Sequence, residues 1–180
     1  MNLSRGLSRR VWPPLMAVAL AMGTMVLTAP PSQAHEGSHV LIFSATTQFR
    51  HTEAIVEGTP VLKAALEAEG IEVTVNEDPA QFTDENLANY EAVMMFQTSG
   101  DPWNADQKAS LQRYVQGGGG IVAVHNATDM RGSWDWWDDL IGTTMPGHAA
   151  TGNSPGLPGT VRVEDRVHPS TAHLGQRWDR

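Results

Sequence analysis

Two short stretches of this 180-residue chain bring together residue types that do proton chemistry. Arg50 and His51 close the segment SATTQFRH, and His125, Asn126 and Asp129 lie within GGGGIVAVHNATD. A histidine donates, accepts or ligates near neutral pH, and an arginine beside it can hold an anionic or carbonyl oxygen. His51 would serve equally well as a cap for a following helix. In the second stretch the glycines feed an apolar run that ends abruptly in His-Asn, so polar groups emerge together at a strand-to-helix turn. Hydrolytic α/β folds put a nucleophile at such a turn. A plain helix stop followed by a structural histidine would give the same letters. A phosphate-cradling loop does not fit, because the glycines precede the strand and no Lys-Ser/Thr pair follows them.

A third stretch, WDWWDDLIG, interleaves Trp134, Trp136 and Trp137 with Asp135, Asp138 and Asp139. Flat aromatic faces suit the apolar faces of sugar rings, and carboxylates suit hydroxyls. Tryptophans that simply cover a sheet are the competing explanation. His148, His168 and His173, added to His51 and His125, supply enough imidazoles for a divalent metal, although no HxH or HExxH spacing marks a site.

The elements that must position these residues follow from periodicity. The spacing predicts a buried strand at 39–45 (HVLIFSA), a helix over 52–69 with Pro60 as a place for a kink, and a strand at 71–75. A short helical piece opened by Thr83 comes next, then a buried strand at 92–98. A helix capped by Asn104 runs to Gln116, with Ala105, Ala109, Leu111 or Gln112, and Val115 facing inward. A fourth strand covers 121–125. Beyond it the pattern predicts a short helix over 134–141, a Gly/Pro loop over 145–158 and a short strand at 160–163. Strands alternating with helices at these lengths predict an α/β fold with a largely parallel sheet and helices on both faces. Ligands of such sheets bind outside the carboxyl ends of the strands, here 45–51, 97–103 and 125–131, which are the segments richest in reactive side chains.

Composition narrows the function. The length suits one domain. Lys plus Arg number 12 against 20 Asp plus Glu, and this net charge of −8 leaves no basic field for a nucleic-acid backbone. Cysteine is absent, which removes disulfides, thiolate metal sites and cysteine nucleophiles together.

The first 34 residues read as an address rather than as fold. Arg5, Arg9 and Arg10 form a positive region, 15–27 is an apolar run, and Ser32-Gln33-Ala34 is a small-residue cleavage site. The run, bracketed by Pro13, Pro14, Pro30 and Pro31, is shorter than the roughly 20 residues a membrane-spanning helix needs. A cleaved signal peptide with no stable membrane anchor is therefore expected. Ser8-Arg9-Arg10-Val11-Trp12 also resembles a twin-arginine export signal. The expected product is a secreted or extracytoplasmic domain spanning 35–180.

Taken together, VLIFSATTQFRHTEAI, GGGGIVAVHNATD, WDWWDDLIG and VHPSTAHL, in this order between His39 and Leu174, resemble the ThuA-like (trehalose-utilisation) domain, a branch of the class I glutamine amidotransferase-like fold. The resemblance implies a flavodoxin-like sheet and a carbohydrate as the small-molecule partner. It implies His125 as general base or acid, Asp129 as its orienter, and His51 with Arg50 as stabiliser of a substrate oxygen. Trp136 and Trp137 would form a sugar platform, with Asn126 and His148 among the binding groups. On an oxidised (keto) disaccharide, a base would remove the proton next to the carbonyl and an acid would assist the departing sugar. A non-catalytic sugar-binding module and a metal-dependent hydrolase are the alternatives. Two departures from the family pattern stand out. The amidotransferase parent uses a cysteine where this chain has His125, which excludes glutamine hydrolysis through a thioester. The family domain also continues past VHPSTAHL, so the domain is expected to be incomplete at its C-terminal side.

Overall fold

The computed structural model describes residues 37–129, 134–143, 145 and 158–179. Four strands, β1 (His39–Phe43), β2 (Glu72–Asn76), β3 (Ala92–Phe96) and β4 (Gly120–Val124), form one parallel sheet in the order β2-β1-β3-β4. The helices are α1 (Thr52–Ala68), a short α2 (Asp84–Leu87), α3 (Ala105–Gln116) and α4 (Asp135–Ile141). Strands β5 (Thr160–Arg162) and β6 (Arg177–Asp179) pair antiparallel as a separate ribbon. The expected α/β architecture is what the chain adopts. Strand order reverses between β1 and β3, and in open α/β sheets that switch point opens a crevice at the carboxyl ends.

Alternation along the strands sorts the core onto two faces. Leu41, Phe43, Val93 and Met95 point to one face, where they pack with Leu87, Leu111, Trp103 and Trp137. Ile42, Val73 and Phe96 point to the other, under Leu62 and Leu66 of α1. The first face holds most of the aromatic mass: Phe43 meets Phe82 edge-on at 4.6 Å and stacks on Trp103 at 5.6 Å. On the second face α1 presses its Gly58 against Phe96, where a larger side chain would collide with the ring.

Local chemistry explains the helix starts. Asn104 accepts from the Gln107 amide at 3.0 Å while the Gln107 side chain accepts from the Asn104 amide at 2.9 Å, a complete capping box. Thr83 accepts from the Asn86 amide at the head of α2. Helix α1 runs through Pro60 without interruption.

Several boundaries differ from expectation. The buried face of α3 is Ser110 and Leu111, with Ala105 exposed at the first turn. The fourth strand ends at Val124, one residue before His125, because His125 leaves the extended conformation. The ribbon strand β6 has no counterpart in the sequence pattern: all three of its residues are exposed, so no apolar alternation announces it. No described helix is long and apolar enough to cross a membrane. The stretch expected to be a signal peptide and most of the predicted Gly/Pro loop lie outside the described residues.

Candidate functional site

The carboxyl end of the sheet gathers side chains from three strand ends. After β1 the chain passes Ser44 and Ala45 and reaches Arg50 and His51, with His51 as the N-cap residue of α1. After β3 comes Gln97, and after β4 comes His125, which opens a 3-10 turn through Thr128.

The imidazoles of His51 and His125 meet edge to face, with centroids 4.8 Å apart and planes at 84°. Residues 74 positions apart in sequence are thus side by side, and Phe49 closes on the far side of His51 at 4.8 Å. His125 is exposed and has φ of 54°, the left-handed region that a non-glycine residue enters at a penalty of about 1 kcal/mol. Such conformations collect at functional sites, where the surrounding structure holds them in place. The bracing is visible. Asn126 and Ala127 are buried, and the indole N–H of Trp137 donates to the Ala127 carbonyl at 2.9 Å.

His125 Nδ1 lies 2.7 Å from Oδ1 of Asn126. An amide oxygen only accepts, so this contact places the proton on Nδ1 and leaves the lone pair on Nε2. Asn126 is therefore the neighbour that selects the tautomer. Asp129 is buried at the end of the same turn, where its carbonyl accepts from the Gly100 amide at 3.0 Å.

Arg50 is committed elsewhere. Its two terminal nitrogens reach the two oxygens of Glu77 at 3.0 and 2.8 Å, and one of them also donates to the Ser44 carbonyl at 3.3 Å. The hydrogen bond to Glu77 raises the guanidinium pKa further above its ordinary value. In this arrangement Arg50 pins the loop after β1 to the segment after β2, and it does not present a free guanidinium to a substrate oxygen.

The aromatic stretch divides. Trp137 is 1% exposed and packs into the core with Trp103, 6.4 Å between centroids, so it offers no face to a sugar. That is a correction to the expected two-ring platform: helical spacing turns Trp137 inward. Trp136 is half-buried and lies 4.8 Å from Trp134, also half-buried, over which Lys108 sits at 5.6 Å. The flat faces at this position are those of Trp134 and Trp136. His148 lies outside the described residues. His168 bonds to Ser170 at 2.7 Å within its own turn, and among the described residues no group of three or more metal-ligating side chains is placed to hold an ion.

Gln97 is the site residue that spacing does not single out. One residue past the last register pair, Phe96 with Val124, it stands beside His125 and shares its left-handed backbone, with φ of 59°. The letters do hold a signal: a polar residue breaks AVMMF as sharply as His125 breaks IVAV, at the equivalent point of the neighbouring strand.

An open parallel sheet covered by helices on both faces, whose strand order reverses between β1 and β3, defines an α/β protein of flavodoxin-like architecture. A crystal structure of a ThuA-like protein from Bacteroides uniformis superposes with a TM-score of 0.66 at 21% identity, over 84% of this chain and 62% of that one. The chain belongs to the ThuA family, described as trehalose utilisation, whose model matches residues 39–180. It spans under two thirds of the length of the solved relative. No curated protein matches it. The description of that family, trehalose utilisation, is carbohydrate-related.

Proposed function

We propose that the crevice at the carboxyl edge of the sheet binds a disaccharide or its keto form and performs acid–base chemistry on it. The observation that carries this reading is the pair of imidazoles, His51 and His125, brought into contact from different strand ends with His125 held in a left-handed turn. Nε2 of His125 is the basic nitrogen. It takes the proton adjacent to the substrate carbonyl, and the protonated ring or its His51 neighbour then returns a proton to the departing sugar oxygen. Asn126 holds the tautomer, and Arg50 with Glu77 holds the loop that carries His51. The family description supports carbohydrate as the substrate class. The N-terminal arginines, apolar run and Ser32-Gln33-Ala34 support an extracytoplasmic place of action.

Turnover of keto-trehalose and related keto-disaccharides, followed by the appearance of the free sugar, is the test. Wild-type chain should convert at least one of them, and His125→Ala should lose about 10²-fold or more of that activity. Full turnover by His125→Ala would end the reading. A second reading, sugar binding without catalysis, is favoured by the half-buried Trp134–Trp136 pair. It predicts binding that Trp136→Ala removes and His125→Ala keeps, with no product formed by either.

A further inference from the structure

Gln97 concentrates two unfavourable features next to the histidine pair. Its backbone is left-handed without being glycine, and the residue is 8% exposed with a buried amide oxygen that has no hydrogen-bond partner among the described residues. Buried amide oxygens are normally paired, because they lose their water on folding and must find a protein donor in exchange. The backbone itself is anchored: the Gln97 amide donates to the Val124 carbonyl at 3.3 Å, on the residue that precedes His125. A fixed main chain thus carries an unsatisfied carboxamide at the strand end neighbouring the proposed acid–base group.

We infer that Gln97 is a substrate-binding residue, whose carboxamide oxygen accepts a hydrogen bond from a sugar hydroxyl placed against His125. This assignment rests on the carbohydrate reading above and names a group that grips the substrate. The terminal torsion of a glutamine is broad, so the carboxamide turns toward an incoming hydroxyl without backbone movement. A hydroxyl can give its hydrogen to Oε1 of Gln97, which an ether or an alkyl group at the same place cannot do, so the carboxamide oxygen selects alcohols. The substrate it fits is a polyhydroxylated ring that carries a hydroxyl on the carbon facing β3.

The test uses the full chain, with Gln97→Met, which keeps the length of the side chain and removes both polar atoms, and Gln97→Glu, which keeps an acceptor. Melting temperature is measured without ligand, and the Kd for trehalose and for keto-trehalose is measured by calorimetry. The expected result is a ligand-free Gln97→Met that melts at or above the wild-type temperature and binds at least tenfold more weakly. Gln97→Glu should bind more tightly than Gln97→Met. A Gln97→Met variant that melts several degrees lower would show that the oxygen has a structural partner and would overturn the assignment. So would wild-type affinity in Gln97→Met, with the carbohydrate reading left intact. If the wild-type chain binds neither sugar, the carbohydrate reading itself falls and takes this assignment with it.

Discussion

The two ends of the same sheet solve the same geometric problem with different residues. Tight entries into the strands at the amino end need left-handed backbone, and glycine supplies it: Gly37 before β1, Gly70 before β2 and Gly118 before β4. At the carboxyl end the residues directly after β3 and β4, Gln97 and His125, are left-handed without being glycine, and the left-handed glycine there, Gly100, comes three residues further along the loop. Polar groups follow the same division. At the amino end the Tyr114 hydroxyl donates to the Tyr90 carbonyl at 3.1 Å, Arg113 pairs with Asp84 at 2.9 Å, and the Gly120 amide donates to the Glu91 carbonyl at 2.8 Å. At the carboxyl end Gln97 Oε1 and Ser44 Oγ are buried without partners among the described residues. Where only folding is at stake, the chain uses the residue that fits. Where side chains with chemistry are retained in strained places, the lost stability fits the acid–base role proposed for that end.

The contrast can be broken at its support. Trp137→Ala empties the core beneath the His125 turn and removes the donor to Ala127, so denaturant unfolding should show a loss of about 3–5 kcal/mol. A loss below 1 kcal/mol would mean the turn is not braced from beneath. Next in size is the exchange of strain for function. His125→Gly should gain about 1 kcal/mol in stability while losing turnover as His125→Ala does, whereas Gly118→Ala at the other end should lose about 1 kcal/mol and leave turnover unchanged. Equal signs for the two stability changes would erase the distinction between the ends.

A pH titration sharpens the comparison. Burial, reinforced by the nearby Glu91 charge, raises the Tyr114 pKa from 10.0 to about 12. A phenol whose folded pKa lies above its unfolded value contributes stability that is fully present below about pH 10 and is lost as pH rises toward 12. Wild-type stability should therefore fall across that window, and Tyr114→Phe should flatten the fall while leaving the neutral-pH activity profile untouched. The smallest effect belongs to Glu77→Gln. The Arg50–Glu77 pair is partly exposed, so stability should change by about 1 kcal/mol or less, yet KM for the sugar should rise because the loop carrying His51 is loosened. An unchanged KM would remove Arg50 from any positioning role.

Much of the fold was legible because it depends on local pattern. HVLIF, AVMMF and GIVAV are apolar runs of strand length, and Asn104 with Gln107 and Thr83 with Asn86 are short-range caps that letters alone specify. The paired histidines were legible only in part: each falls at a strand end, but their contact depends on β1 and β4 flanking β3 in the sheet. The commitment of Arg50 to Glu77 depends on β2 lying next to β1, which places the segment after β2 within reach of a loop 27 residues earlier. Gln97 and Trp137 show the remaining gap. A left-handed angle at a glutamine has no composition signature, and which of three neighbouring tryptophans faces inward is decided by the phase of a seven-residue helix.

The loop after β1 is sewn to the loop after β3. The Thr47 amide donates to the Ser99 carbonyl at 2.9 Å, the Ser99 hydroxyl to the Phe49 carbonyl at 2.7 Å, and the Asp101 amide to the Thr47 hydroxyl at 2.9 Å. Gly100, at φ of 69°, leaves room for Thr47 that a side chain would fill. Folds of this architecture commonly change their ligands by lengthening or shortening such loops, but here an inserted or deleted residue would throw three stitches out of step and shift both His51 and Gln97. Under the proposed function, adaptation to a new substrate would be channelled into exchanges of side chains on a fixed frame, and the segments open to changes in length are those that leave the stitched pair alone.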